Sequence, residues 1–320
     1  MSAEQFAHLS NLAIYSATVV YALALLVHIA EWASAFEVHH HEVADVLVPV
    51  GSSSARSGIS VVTPGESSRR PGEPRSDRTD TFGQIAMSLT VLAFGIHLVG
   101  VISRGLAADR VPWGNMYEFS TTGALAVTGA FLALSWRYQL SWLGLLVTAF
   151  TTTVLGVAVL ALYVPAGPLV PALHSYWLVI HVAAAAIAGG AYTVGAMASV
   201  LYLVKSRWSG GYLDRLPSKE DIDRLAYRVH AFAFPTWTFA VLCGAIWAEY
   251  AWGRYWGWDP KEVWALITWV VYAAYLHARA TAGWQGKAAA YIALVGFGTF
   301  LFNFIGINLW GSGLHSYAGV

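Results

Sequence analysis

Six of the 15 tryptophans fall between Trp247 and Trp269, a window in which an even spread would leave about one. Its densest part reads Trp252-Gly253-Arg254-Tyr255-Trp256-Gly257-Trp258-Asp259-Pro260-Lys261-Glu262-Val263-Trp264. An indole offers a flat apolar face and one N–H donor, so such a run suits either a planar ligand or a belt at the membrane–water interface. Gly253 and Gly257 remove side chains between the rings and leave room for a flat ligand against the backbone. On the residues alone both readings stand. The second chemical group is the histidines. A neutral imidazole can ligate a metal, and at membrane depth its nitrogens otherwise need partners.

Positioning these groups falls to helices. The chain is 57% hydrophobic and 11% charged, less than half the charged fraction of an ordinary soluble domain, and nothing basic points to nucleic acid. No period-2 alternation appears, which excludes a barrel. The expected fold is an all-α integral membrane protein of about eight transmembrane helices, at about 11–35, 82–103, 115–136, 141–163, 176–204, 229–250, 262–279 and 288–310. The expected organisation is a first helix in 1–35, a disordered cytoplasmic linker over 36–81 that is rich in Ser, Gly, Pro and Arg, and a seven-helix domain over 82–320. Residues 209–228 read as a second polar cytoplasmic loop, with Asp214 to Arg228 as a surface helix. The lone Cys243 rules out a disulfide framework within this chain.

Orientation follows from the basic residues. The connections 36–81, 137–140, 205–228 and 279–287 hold 14 of the 18 Lys and Arg, so both termini and the Trp-rich loop face outward. His181 then lies roughly 8 Å below the outer rim of the fifth helix, and His315 follows the eighth on the same side. His174 is a fallback near His181. His277 lies about 22 Å along the seventh helix, near the cytoplasmic side, and His28 about 25 Å along the first, at a similar depth. Before the seventh helix, Asp259 reads as N-cap, Pro260 as the first helical residue and Glu262 as the capping-box partner. Glu118, one turn into the third helix after Pro112-Trp113-Gly114-Asn115-Met116-Tyr117, needs a partner for its charge, and Asn115 can cap that helix.

The string from Trp252 to Arg279, WGRYWGWDPKEVWALITWVVYAAYLHAR, resembles the tryptophan-rich WWD signature of haem-handling proteins in cytochrome c maturation. It is most similar to the CcsA (ResC) family, the integral-membrane half of the System II cytochrome c synthetase. The resemblance implies a segment over 247–269 that holds haem b at the extracytoplasmic face of the cytoplasmic membrane. Trp252, Trp256, Trp258, Asp259 and Trp264 would contact that haem. His181 and His315 match the family's external axial ligands, and His277 its transmembrane ligand. The ligand opposite His277 would be His28, His97 or a residue of a CcsB (ResB)-type partner. Arg254 and Lys261 are candidates for pairing with the propionates. The implied function is to convey haem outward and present it for thioether attachment to an apocytochrome Cys-x-x-Cys-His segment. Alternatives are a System I haem handler of the CcmC or CcmF kind, or a transporter or b-type electron carrier with a structural Trp belt.

Overall fold

The computed structural model describes residues 1–46, 74–138, 140–168, 173–281, 283–311 and 313–315. The described residues form helices and connecting loops, with no strand among them. In order these are α1 (Ala3–Val46), α2 (Pro74–Ala108), α3 (Met116–Tyr138), a 3₁₀ turn (Ser141–Leu143), α4 (Gly144–Ala161), α5 (Tyr176–Arg207), the short α6 (Tyr212–Arg215), α7 (Lys219–Trp252), α8 (Pro260–Thr281), α9 (Lys287–Leu301), a π-helical turn (Phe302–Gly306) and α10 (Ile307–Trp310). Seven helical stretches are long and apolar enough to cross a membrane: α1, α2, α3, α4 with its 3₁₀ turn, α5, α7, and α9 continued through α10. The remaining predicted segment is α8, 22 residues with Lys261, Glu262 and Arg279 near its ends. The protein is an all-α, multi-pass membrane protein.

Several boundaries differ from expectation. Helices α1 and α2 run past the predicted linker bounds, to Val46 and from Pro74; the rest of that linker, 47–73, lies outside the described residues. The predicted break between a surface helix and the sixth membrane helix is absent, because α7 continues from Lys219 to Trp252. Ser218 caps its start, accepting from the Asp221 N–H at 3.1 Å. Extending an existing helix then adds a hydrogen bond per residue without a new nucleation cost. Asp223, in its second turn, accepts two bonds of 2.8 Å from Arg279 and fastens α7 to α8.

Helix α1 packs along α2 and against α4, while α5 is central, contacting α3, α7 and α9. In a bilayer the apolar phase surrounds every helix, so close approach matters more than water exclusion. A Cβ at Gly190 would sit 2.7 Å from the Ala126 carbonyl oxygen, so a side chain there would force α3 and α5 apart. The largest core cluster includes Tyr192 stacked on Tyr272 at 3.9 Å, with Phe131, Trp142 and Tyr275 also buried.

Glu118 has the partners its burial demands. It is 0% exposed and accepts from Arg104 Nε at 2.8 Å, Arg110 Nη1 at 2.7 Å and the Gly114 N–H at 2.7 Å. The same arginines donate to the carbonyls of Val164 and Gly167, tying the loop before α3 to the loop after α4. Asn115 caps α3, accepting from the Glu118 N–H at 2.9 Å.

Candidate functional site

An almost wholly apolar cavity of about 530 Å³ opens among α3, α4, α5, α7, α8 and the α9–α10 stretch, within the range of small-molecule sites. His181 and His315 both line it. His181 lies against Gly244 of α7, whose missing side chain leaves the ring its place: a Cβ there would fall 2.7 Å from Nδ1. That nitrogen is 2.7 Å from the Ala240 carbonyl oxygen. A carbonyl can only accept, so Nδ1 carries the proton and Nε2 the lone pair.

His315 reaches the same tautomer by another route. Its Nδ1 donates to Asp259 Oδ1 at 2.8 Å. Asp259 is the N-cap of α8, accepting from the Lys261 N–H at 3.1 Å, and its Oδ2 accepts from the Leu314 N–H at 2.8 Å. Glu262 completes the predicted capping box, its Oε2 accepting from the N–H groups of Asp259 at 3.0 Å and Gly257 at 2.8 Å. One helix cap therefore also pins the C-terminal segment and orients its histidine. Burial pushes the Asp259 carboxyl up, but His315 and the two N–H donors outweigh it and hold it below the usual carboxylate range. Burial holds His315 down at about 4. At neutral pH the pair is a carboxylate and a neutral imidazole.

Both histidines meet Trp247, which is 2% exposed. Its ring centroid is 6.1 Å from that of His181, nearly parallel at 13°, and 5.7 Å from that of His315. Trp252 packs edge-on at 4.8 Å from both Trp247 and His315.

The other predicted indoles separate. Trp256 lines the cavity and meets Trp258 edge-on at 5.9 Å. Trp258 is 70% exposed, with a left-handed φ of 58° that turns the chain into the α8 cap. Trp264 packs on Phe302 at 4.3 Å and is not part of the cavity wall. The tryptophans thus form a cluster around the imidazoles plus two outlying contacts, not one continuous sheet. The glycines also differ in role from expectation. Gly253 is the left-handed C-cap of α7, φ 70°, with open space where a side chain would stand, whereas the guanidinium of Arg254 covers Gly257. Arg254 is exposed and outside the cavity wall, whereas Lys261 lines it. His174 is exposed and does not line the cavity.

His277 and His28 are not brought together. His277 is exposed on α8. His28 is 0% exposed, its Nδ1 is 2.9 Å from Glu31 Oε2, and its ring packs against Gly144 at the start of α4. Tyr212 donates to the other Glu31 oxygen at 2.8 Å. His97 is likewise 0% exposed, edge-on to Tyr21 of α1. Among the described residues no hydrogen bond or ring contact joins either of them to His277. The reading from sequence also passed over Trp247 as a contact residue, along with Gly244, Asn303 and Asn308. The two asparagines carried a signal, being polar residues inside an apolar segment; the seat that Gly244 provides had none.

The sequence model of the family described as "Cytochrome C assembly protein" matches residues 113–315. The chain is 35% identical over 295 residues to the cytochrome c biogenesis protein CcsA of Synechococcus sp. (strain JA-3-3Ab), covering 73% of this chain and 84% of that protein. It is 36% identical over 259 residues to the CcsA of Guillardia theta, covering 73% and 85%. Among solved structures, the cytochrome c heme lyase CcmF superposes with a TM-score of 0.63 at 16% identity, over 95% of this chain and 47% of that one. At that identity the likeness is one of fold, and this chain spans about half of CcmF's length.

Proposed function

The chain belongs to the cytochrome c assembly protein family, and from that premise we propose that its cavity receives haem as substrate, with His181 and His315 as the two axial ligands. One observation carries the reading. Two imidazoles line one apolar cavity against one indole, each with its Nδ1–H committed to a fixed acceptor, so that each has its lone pair on Nε2. Orienting one ring nitrogen so that the other can bind metal is the usual outer support of a histidine ligand, and two such ligands suit low-spin haem iron. Trp247 and Trp256 supply aromatic walls, and Trp252 backs Trp247 and His315 edge-on.

Haem held there, at the extracytoplasmic face of the cytoplasmic membrane, is presented to an apocytochrome c segment Cys-x-x-Cys-His. Its histidine displaces one axial ligand, and its two thiols add across the vinyl groups to form thioethers. The protein contributes proximity and orientation, which can supply several kcal/mol of barrier reduction. His277 serves a second, deeper haem site. Its exposure on α8, with His28 and His97 buried elsewhere, favours a CcsB-type partner as the source of the opposite ligand. The curated relatives named CcsA favour this System II reading over a System I handler and over a carrier whose tryptophans are structural. In domain terms, α2 to α10 form the haem-handling unit, and α1 with the linker stands before it.

Coexpression with a CcsB-type partner and an apocytochrome, scored for covalent haem, tests the function. The purified complex should show a low-spin bis-histidine spectrum that disappears in the His181→Ala/His315→Ala double variant; an unchanged spectrum removes the ligand assignment.

A further inference from the structure

Three polar side chains line the cavity from α8 and the α9–α10 stretch: Lys261 in the first turn of α8, Asn303 in the π-helical turn and Asn308 in α10. Lys261 Nζ donates to Asn308 Oδ1, and Asn308 Nδ2 donates to the Phe304 carbonyl, so the ammonium is held by a side chain that is itself held. Among the described residues Lys261 makes no ion pair and is the one Lys or Arg on the cavity wall. Glu262, the one carboxylate on that wall, is turned to the α8 cap through the N–H groups of Gly257 and Asp259.

Asn303 is the second, independent sign. It is 7% exposed, makes no side-chain hydrogen bond among the described residues, and its Oδ1 is buried without a donor. An extra residue in the helix at Phe302–Gly306 resets the register there, and Phe302, pressed between Trp264 and Gly306, holds the bulge: a Cβ at Gly306 would fall 2.7 Å from its ring. Such bulges concentrate at functional sites. An ammonium and an unsatisfied carboxamide in an apolar cavity cost free energy until an anion pairs with them. Rotation of the carboxamide presents Nδ2 as a donor in place of Oδ1.

We propose that Lys261, Asn303 and Asn308 form a carboxylate subsite that takes a propionate of the porphyrin and sets which way round the macrocycle sits. Resting on the reading that this cavity takes haem, the subsite draws the propionate edge toward the π-helical turn. The vinyl edge, opposite on the ring, lies away from Lys261, where thiols must reach it. The backbone N–H of Lys261 and Nδ1 of His315 share Asp259 Oδ1, so the anion site and one axial ligand are fixed to the same cap.

The test compares ferric protoporphyrin IX with its dimethyl ester, titrated into the purified complex of the full chain and its partner and read by the low-spin band. The wild type should bind the free acid about ten- to a hundredfold more tightly, as expected for a charge-assisted hydrogen bond. Lys261→Met and, separately, Asn303→Leu should shrink that preference to a few-fold while free-acid haem at saturation still gives the bis-histidine band; Lys261→Arg should keep the preference. Equal affinities in the wild type, or an undiminished preference in Lys261→Met, overturns the subsite with the ligand reading intact. Absence of the bis-histidine band with either porphyrin in the wild type overturns the ligand reading, and the subsite with it.

Discussion

Gly244→Ala is the sharpest perturbation of the site, because it adds one carbon and replaces neither ligand. The new Cβ would lie 2.7 Å from Nδ1 and 2.8 Å from Cε1 of His181, closer than carbon and nitrogen atoms pack. Helix α7 is held along its length against α5, so the imidazole yields and gives up its 2.7 Å bond to Ala240. Losing a buried hydrogen bond costs about 1–3 kcal/mol, and loss of the orienting partner of a metal-binding histidine typically lowers affinity about 10–100-fold. Helix propensity acts the other way, since Ala in a helix interior is favoured over Gly by up to about 1 kcal/mol. General unfolding therefore does not explain a loss of haem. The complex with its partner, purified from coexpression, should retain less haem, with the low-spin spectrum partly converted to a five-coordinate one. Added imidazole should restore the low-spin form by occupying the vacated position. Wild-type haem content and spectrum in this variant would refute the seat of His181 on α7.

Other outcomes follow from the same geometry. Glu118→Gln leaves Arg104 and Arg110 buried with no compensating charge, which should cost about 3–5 kcal/mol and appear as a clear drop in the unfolding temperature in detergent; an unchanged midpoint contradicts the cluster. His315 ligates only when neutral, and its folded-state value lies near 4 against an ordinary 6.5. Haem affinity at the external site should therefore stay level from neutral pH down to about 5 and fall as the pH passes through 4. A fall centred near 6.5 would mean that the ring is not buried as described. His277→Ala should lower the haem content of the complex with its partner, whereas His28→Ala should leave the iron spectrum unchanged; the opposite pattern would return His28 to the ligand set.

Much of the architecture was legible because it rests on local rules. Long apolar runs have no soluble alternative, so eight helical segments could be placed from hydropathy, and seven of the corresponding stretches are long and apolar enough to span. The capping box at Asp259 and Glu262 and the cap at Asn115 were readable because each spans three residues of one chain segment. The placement of His181 and His315 beside the Trp-rich region needed only depth along helices and an even count of crossings.

Tertiary structure decided what depends on neighbours from distant segments. Spacing alone could not say that Gly244 seats His181, that Trp247 meets both imidazoles, or that Arg254 lies over Gly257. Nor could depth along a helix reveal that the His28 and His277 rings, at matching heights, belong to different surroundings: depth fixes one coordinate, and helix packing fixes the other two. Composition determined that this chain lives in a membrane and is rich in aromatic residues. Which of those rings meet was settled by how closely the glycine and alanine faces let the helices approach, a property of pairs of helices that no single segment contains.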